Sequence, residues 1–253
     1  MDEFTRHAKI LEIAQKAGEV SVEALADRFS VTVQTVRRDL GKLTGLGHLE
    51  RVHGGAVLAS GVSNIRYQDR RQLNRDAKLS IAQKTASLIP NDVSLFLNIG
   101  TTTEAVARAL LGHKNLMIVT NNWNVATILS ANPTSKIIVT GGQLRASDGA
   151  LVGDIANDTI RRFKVDIGVI GASALDSDGD VMDFDAQEVR VTQEIMTRSR
   201  QTMLVCDGSK FSRTAPVRVA SLADVDVFVT DSPVSEQLWM QCSDWKTRVV
   251  LSK

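Results

Sequence analysis

Residues 30–40 read SVTVQTVRRDL, and this stretch decides the architecture of the amino-terminal part of the chain. Ser30, Val31 and Thr32 make a short turn, after which Val33, Val36, Leu40 and Leu43 recur at helical spacing until Gly45 and Gly47 stop the helix. Gln34, Thr35, Arg37, Arg38 and Lys42 fall on the opposite side. A helix with one apolar and one cationic face has what a recognition helix needs to lie in a DNA major groove, where Arg pairs with guanine and Gln with adenine.

Upstream, Val22, Leu25, Ala26 and Phe29 repeat the apolar spacing behind Ser21, a helix-capping residue, and Ile10, Ile13, Ala14 and Ala17 do so in an earlier helix that Gly18 can end. Downstream, Leu49–Val52 alternates like a strand, and His53-Gly54-Gly55 supplies a turn before Ala56-Val57, which reads as a wing. Residues 1–58 are therefore expected to form a winged helix-turn-helix, with the helix-turn-helix proper at about 20–39 and Thr32, Gln34, Thr35, Arg37, Arg38, Lys42, Arg51 and His53 toward double-stranded operator DNA. This module carries eight Lys and Arg against eight Asp and Glu, whereas residues 34–53 carry four against two, so positive charge gathers on the proposed DNA face. Two other readings stand beside this one: Arg37 and Arg38 as the solvated charge of an ordinary helix, or the module as a protein-contacting unit.

The whole chain of 253 residues is 43% apolar with a formal net charge of +1. That length suggests two domains, and the charge balance alone selects neither nucleic acid nor membrane as partner. Cys206 and Cys242 lack metal or redox spacing, as expected of reduced thiols in a cytoplasmic protein. No run approaches the roughly 18 apolar residues of a membrane span, and no metal, cofactor or catalytic residue is expected.

Residues 59–78 lack periodicity, carry five basic residues against two acidic ones and read as a linker. Its Arg66, Arg70, Arg71 and Arg75 suit either DNA phosphates or plain solvation. From residue 79 to 253, apolar strands at 93–97, 116–120, 136–140, 165–170, 203–206, 227–230 and 249–251 alternate with helical stretches, the pattern of an α/β domain with a mainly parallel sheet.

Ligands bind such sheets beyond the carboxyl ends of the strands. There, Asn98-Ile99-Gly100-Thr101-Thr102-Thr103 leads into a helix and offers amides and hydroxyls to an anion, although a Thr-rich helix cap has the same composition. The segment lacks the lysine and spacing of a nucleotide-hydrolysing loop. Thr120-Asn121-Asn122, Gly141-Gly142-Gln143-Leu144-Arg145 and Asp207-Gly208-Ser209-Lys210-Phe211 add amides, close backbone approach and two cations. Asp183, Asp185 and Glu188 can accept hydrogen bonds from a polyol. The acidic run 176–180 lacks the glycine and glutamate of a calcium loop and reads as a polar turn.

The segment 30–40, the wing RVHGGA at 51–56 and the later IGTT, VTNN, TGGQLR, EVR and DGSKF segments together resemble the DeoR family of transcriptional regulators. The resemblance implies a repressor whose second domain, similar to ribose-5-phosphate isomerase and glucosamine-6-phosphate deaminase, senses a phosphorylated metabolite. It places Gly100, Thr101, Thr102 and Thr103 at the phosphate and matches Lys210 to the family's lysine, while the strand-end loops themselves put Asn98, Asn121, Gly141, Gly142, Arg145, Asp183 and Glu188 around the ligand. The segments IGTTTEAVARALL, IVTNNWNVA, RASDGALVGD and FDAQEVR look closest to members that govern glycerol metabolism, making sn-glycerol 3-phosphate the expected effector, ahead of a sugar phosphate. Three positions depart from the family pattern: Asn98 for Asp, Val33 for Pro and Thr192 for Lys. Palindromic operators imply a homo-oligomer, a dimer or tetramer. The alternative is a sugar-phosphate isomerase or deaminase with an appended DNA-binding module, its base drawn from Asp183, Asp185 or Glu188.

Overall fold

The computed structural model describes residues 3–17, 19–46, 48–58, 64 and 67–252. Gly18, Gly47 and Arg66, to which the sequence assigns two helix stops and a phosphate contact, lie outside them, as do residues 59–63 of the expected linker.

Three helices, α1 (Glu3–Ala17), α2 (Val22–Phe29) and α3 (Val33–Gly45), pack around Ile10, Ala14, Leu25, Val36, Leu40 and Leu43. Ser21 and Thr32 cap α2 and α3 through bonds from the Ala24 and Thr35 amides, so Thr32 takes over the helix start that a proline would otherwise pre-organise. The wing is β2 (Leu49–Val52) and β3 (Gly55–Leu58), and a strand the sequence did not signal, β1 (Glu19–Ser21), completes the sheet in the order β1-β3-β2. Gly55 makes that possible: a Cβ there would stand 1.9 Å from the Val20 carbonyl oxygen. Asp39, on the inner side of α3, is buried and receives the Arg6 guanidinium at 2.5 and 3.0 Å and His7 at 3.1 Å, which ties α1 to the recognition helix.

Residues 67–78 correct the linker expectation. They form α4 (Tyr67–Gln72) and the first turn of α5 (Arg75–Leu88) and are packed on the second domain. Their anchors are polar, which hides them from hydrophobic periodicity: Tyr67 donates to Glu104 at 2.8 Å, Asn74 donates to Asp207 at 2.9 Å, and the buried Lys78 ammonium holds the carbonyls of Arg70 and Leu73.

The second domain continues β4 (Ser94–Leu97), α6 (Thr101–Ala109), β5 (Met117–Thr120), α7 (Trp123–Leu129), β6 (Lys136–Val139), a hairpin of β7 (Gln143–Arg145) and β8 (Ala150–Val152), and α8 (Asp154–Arg161). It then runs β9 (Val165–Ile170), β10 (Ala174–Leu175), β11 (Asp180–Asp183), α9 (Ala186–Thr197), β12 (Ser199–Val205), β13 (Val217–Ser221), β14 (Val227–Thr230), α10 (Glu236–Trp245) and β15 (Arg248–Leu251). Seven strands make one parallel sheet, ordered β15-β14-β12-β9-β4-β5-β6, at the seven places the sequence marks. One face packs on α5 and α6 through Leu95, Leu97, Val106 and Val169; the other packs on α8 and α9 through Phe96, Ile170, Ile160 and Ile195. The small antiparallel sheet β10-β11-β13 lies at the carboxyl ends of the central strands.

Candidate functional site

On the DNA-binding module, Gln34, Arg37 and Arg38 are exposed on α3, and Arg51 and His53 are exposed on the wing. Arg51 donates to the Arg37 carbonyl at 3.3 Å, so wing and recognition helix present one continuous basic surface. Three residues expected there are committed locally: the Thr32 and Thr35 hydroxyls bond to one another at 2.9 Å, and Lys42 pairs with Glu3 at 2.5 Å.

The second site is a cavity of about 30 Å³ at the carboxyl ends of β4 and β9, room for a water or two. Asn98, Gly100, Thr101, Thr102, Asp183, Glu188 and Lys210 line it, together with Arg70, Ser173 and Thr192. Gly100, at φ 142°, turns the chain into α6, whose first amides have no acceptor within the helix and whose Thr101 and Thr102 line the cavity. The Thr103 hydroxyl donates to the Gly100 carbonyl at 2.8 Å and props that loop from below. Asn98 bonds Thr192 at 2.8 Å, and the Thr192 hydroxyl donates to the Glu188 carbonyl at 3.0 Å. The two departures at positions 98 and 192 thus meet as one neutral hydrogen bond.

Charge is concentrated here without being balanced pair by pair. Lys210 is buried and makes no ion pair or side-chain hydrogen bond among the described residues; burial and the nearby Arg213 lower its pKa. Burial raises the pKa of Asp183, against hydrogen bonds from the Phe184 amide at 2.6 Å and the Ser173 hydroxyl at 3.1 Å. Burial and the Asp183 charge push Glu188 up to about 7, even with Arg145 beside it. Two larger clefts, about 540 and 660 Å³, open beside α5, but exposed side chains such as Arg71, Arg75 and Arg108 dominate their walls.

Five residues expected around the ligand lie off the cavity wall. Besides Thr103, Arg145 is spent on three carboxylates, Asp148 at 2.8 Å, Asp185 at 2.5 Å and Glu188 at 2.6 Å. Asn121 is fully buried against Leu151, with which it exchanges backbone and side-chain bonds. Gly141 and Gly142 shape the entry to β7, where a Cβ on Gly142 would meet the Val152 carbonyl at 2.6 Å. Conversely, Arg70 and Ser173 line the cavity unannounced: Arg70 sits in an arginine run that reads as linker, and nothing local marks Ser173.

The two domains touch beside this cavity. Glu50, on β2, approaches the buried Arg213 guanidinium at 3.0 Å. Asn64 accepts from Arg213 at 3.2 Å and donates to Ser173 at 3.1 Å.

Residues 6–62 match the model of the DeoR-like helix-turn-helix domain, and residues 73–232 match that of the DeoR C terminal sensor domain. Among curated relatives, the chain is 46% identical to the glycerol-3-phosphate regulon repressor of Escherichia coli over 92% of each chain. Identity is 45% to that of Haemophilus influenzae, over 99% of this chain and 98% of the relative, and 36% to the HTH-type transcriptional repressor CsqR of Escherichia coli, over 97% and 94%. Among solved structures, ribose 5-phosphate isomerase A from Neisseria gonorrhoeae aligns with 55% of this chain and 53% of its own, at 14% identity and a TM-score of 0.38.

Proposed function

The chain belongs to the DeoR family of transcriptional regulators, and from that premise we propose that it represses glycerol-metabolism genes and leaves its operator when sn-glycerol 3-phosphate fills the strand-end cavity. Gln34, Arg37 and Arg38 read base edges, and Arg51 and His53 hold the adjoining backbone.

The observation that carries the effector reading is Lys210, a buried cation without an ion pair among the described residues, lining one cavity with the Gly100–Thr102 turn at the start of α6. Unpaired helix amides and a desolvated ammonium favour an anion at the point where they converge. Phosphate fits that end, and the glycerol hydroxyls have Asn98, Asp183 and Glu188 as partners. The chain acts as a sensor rather than a catalyst in this reading: its curated relatives are named repressors, and Asp183 and Glu188 serve as acceptors. Two-fold operators call for a homo-oligomer. No helix of the described residues is long and apolar enough to cross a membrane, in keeping with a cytoplasmic regulator.

The test is a titration of sn-glycerol 3-phosphate into the operator complex, with Lys210→Ala alongside. Release by the parental chain, lost in the variant, supports the reading; operator affinity unchanged at millimolar effector rejects this ligand.

A further inference from the structure

The effector cavity is walled on one side by a residue that no motif assigns to it. Arg70 extends from α4, the short helix between the two domains, and its side chain is only 16% exposed. Among the described residues its Nε is buried without a hydrogen-bond partner, and its nearest carboxylate, Asp148, stands 3.5 Å away while already gripping Arg145 at 2.8 Å. The guanidinium otherwise rests 6.0 Å from the centre of the Tyr67 ring. Its charge acts on Asp183, Glu188, Lys210 and Arg213, which places it in the middle of the buried charge cluster. A desolvated cation with one long ionic contact is costly, and an anion at its fork relieves the cost.

Space points to the same residue. A cavity of about 30 Å³ is too small for a phosphorylated triol, since small-molecule sites typically span roughly 300–1,000 Å³. Most of its wall belongs to the ends of β4 and β9 and the starts of α6 and α9, which are rooted in the two cores. Arg70 comes instead from α4, six residues long and tied down by polar contacts: Tyr67 with Glu104 and Asn124, Arg70 with Asp148, and Lys78 with the Arg70 carbonyl.

We propose that Arg70 is the second phosphate-binding cation of the effector site, so that the ligand is gripped from one side by the sensor domain and from the other by the segment that leads to the DNA-binding module. This rests on the cavity being the effector site. Filling it draws Arg70 away from Asp148 and shifts α4, beside the place where Glu50 and Asn64 meet Arg213 and Ser173. Ligand occupancy thereby reaches the wing through the chain itself.

The experiment is calorimetry on the full chain with sn-glycerol 3-phosphate and, separately, inorganic phosphate, using parental protein, Arg70→Gln, Arg70→Lys and Lys210→Ala, each checked for cooperative melting. Losing a charge-assisted pair weakens both ligands about tenfold or more in Arg70→Gln. Arg70→Lys, which keeps the charge but not the two-pronged fork and guards against a folding defect in the first variant, is weakened by a smaller factor. Parental affinity in both Arg70 variants with weak binding by Lys210→Ala overturns this inference alone. Parental affinity in Lys210→Ala, or no binding by the parental chain, overturns the effector site and this inference with it.

Discussion

Replacing Arg213 by methionine probes the joint between the domains. The Glu50 and Arg213 side chains are 8% and 2% exposed and 3.0 Å apart. At an effective dielectric constant of about 20, opposite charges at that distance attract by roughly 5–6 kcal/mol. Desolvation works against this: burial raises the pKa of Glu50 despite Arg213 and lowers that of Arg213 despite Glu50. Both shifts run toward the neutral forms, so the pair does not recover the cost of leaving water. Its geometry agrees, since neither Glu50 oxygen, nor Nε or Nη1 of Arg213, forms a well-aligned hydrogen bond. Removing one partner strands the other, at a cost of about 3–5 kcal/mol; replacing both by apolar groups is close to neutral or stabilising. The assay is a double-mutant cycle in urea with Glu50→Met, Arg213→Met and the double variant, expected to show strong rescue, with a coupling above about 2 kcal/mol. Single losses that add to within about 0.5 kcal/mol would refute the claim that these charges form one unit.

Arg37→Ala with Arg38→Ala abolishes operator binding while sn-glycerol 3-phosphate affinity, measured by calorimetry, stays at the parental value. Gly142→Ala sets a Cβ 2.6 Å from the Val152 carbonyl at φ 103° and costs about 2–3 kcal/mol, a drop of several degrees in the melting temperature. For pH, Glu188, Asp183 and Glu50 all have raised pKa values in the fold. Between about 4.5, where an ordinary glutamate ionises, and about 7, the native state holds protons the unfolded chain has lost, so stability falls as pH rises through that window. Asp39 and Asp207, whose pKa values are lowered, act below it. Urea midpoints at about pH 5 and 7 check the sign, and a higher midpoint at pH 7 contradicts it.

What the sequence discloses, and what it hides, follows from the type of partner each residue has. The seven parallel strands are legible because burial on both faces makes them continuous apolar runs, such as SLFL at 94–97 and VDIGVI at 165–170. The helix-turn-helix is legible because its apolar spacing and two hydroxyl caps agree. Strands β1, β7 and β10 have two or three residues each and offer no period. Charged residues are the least legible: Arg70, which suits DNA phosphates or plain solvation, lines the strand-end cavity, and Arg145, open to phosphate or to a neighbouring carboxylate, is held by Asp148, Asp185 and Glu188. Their partners lie 3 to 78 positions away, with no local pattern to reveal them. The bond between Asn98 and Thr192 spans 94 positions, so two departures that look independent in the sequence prove to be one contact.

The central claim is that one chain couples a phosphorylated ligand to DNA, and reciprocal linkage tests it directly. Operator affinity is measured with and without saturating sn-glycerol 3-phosphate, and effector affinity with and without saturating operator. Thermodynamics requires the two factors to be equal, and the account expects each to be about tenfold or more, weakening both ligands. An effector that binds at full strength to the operator complex and leaves operator affinity unchanged would contradict it.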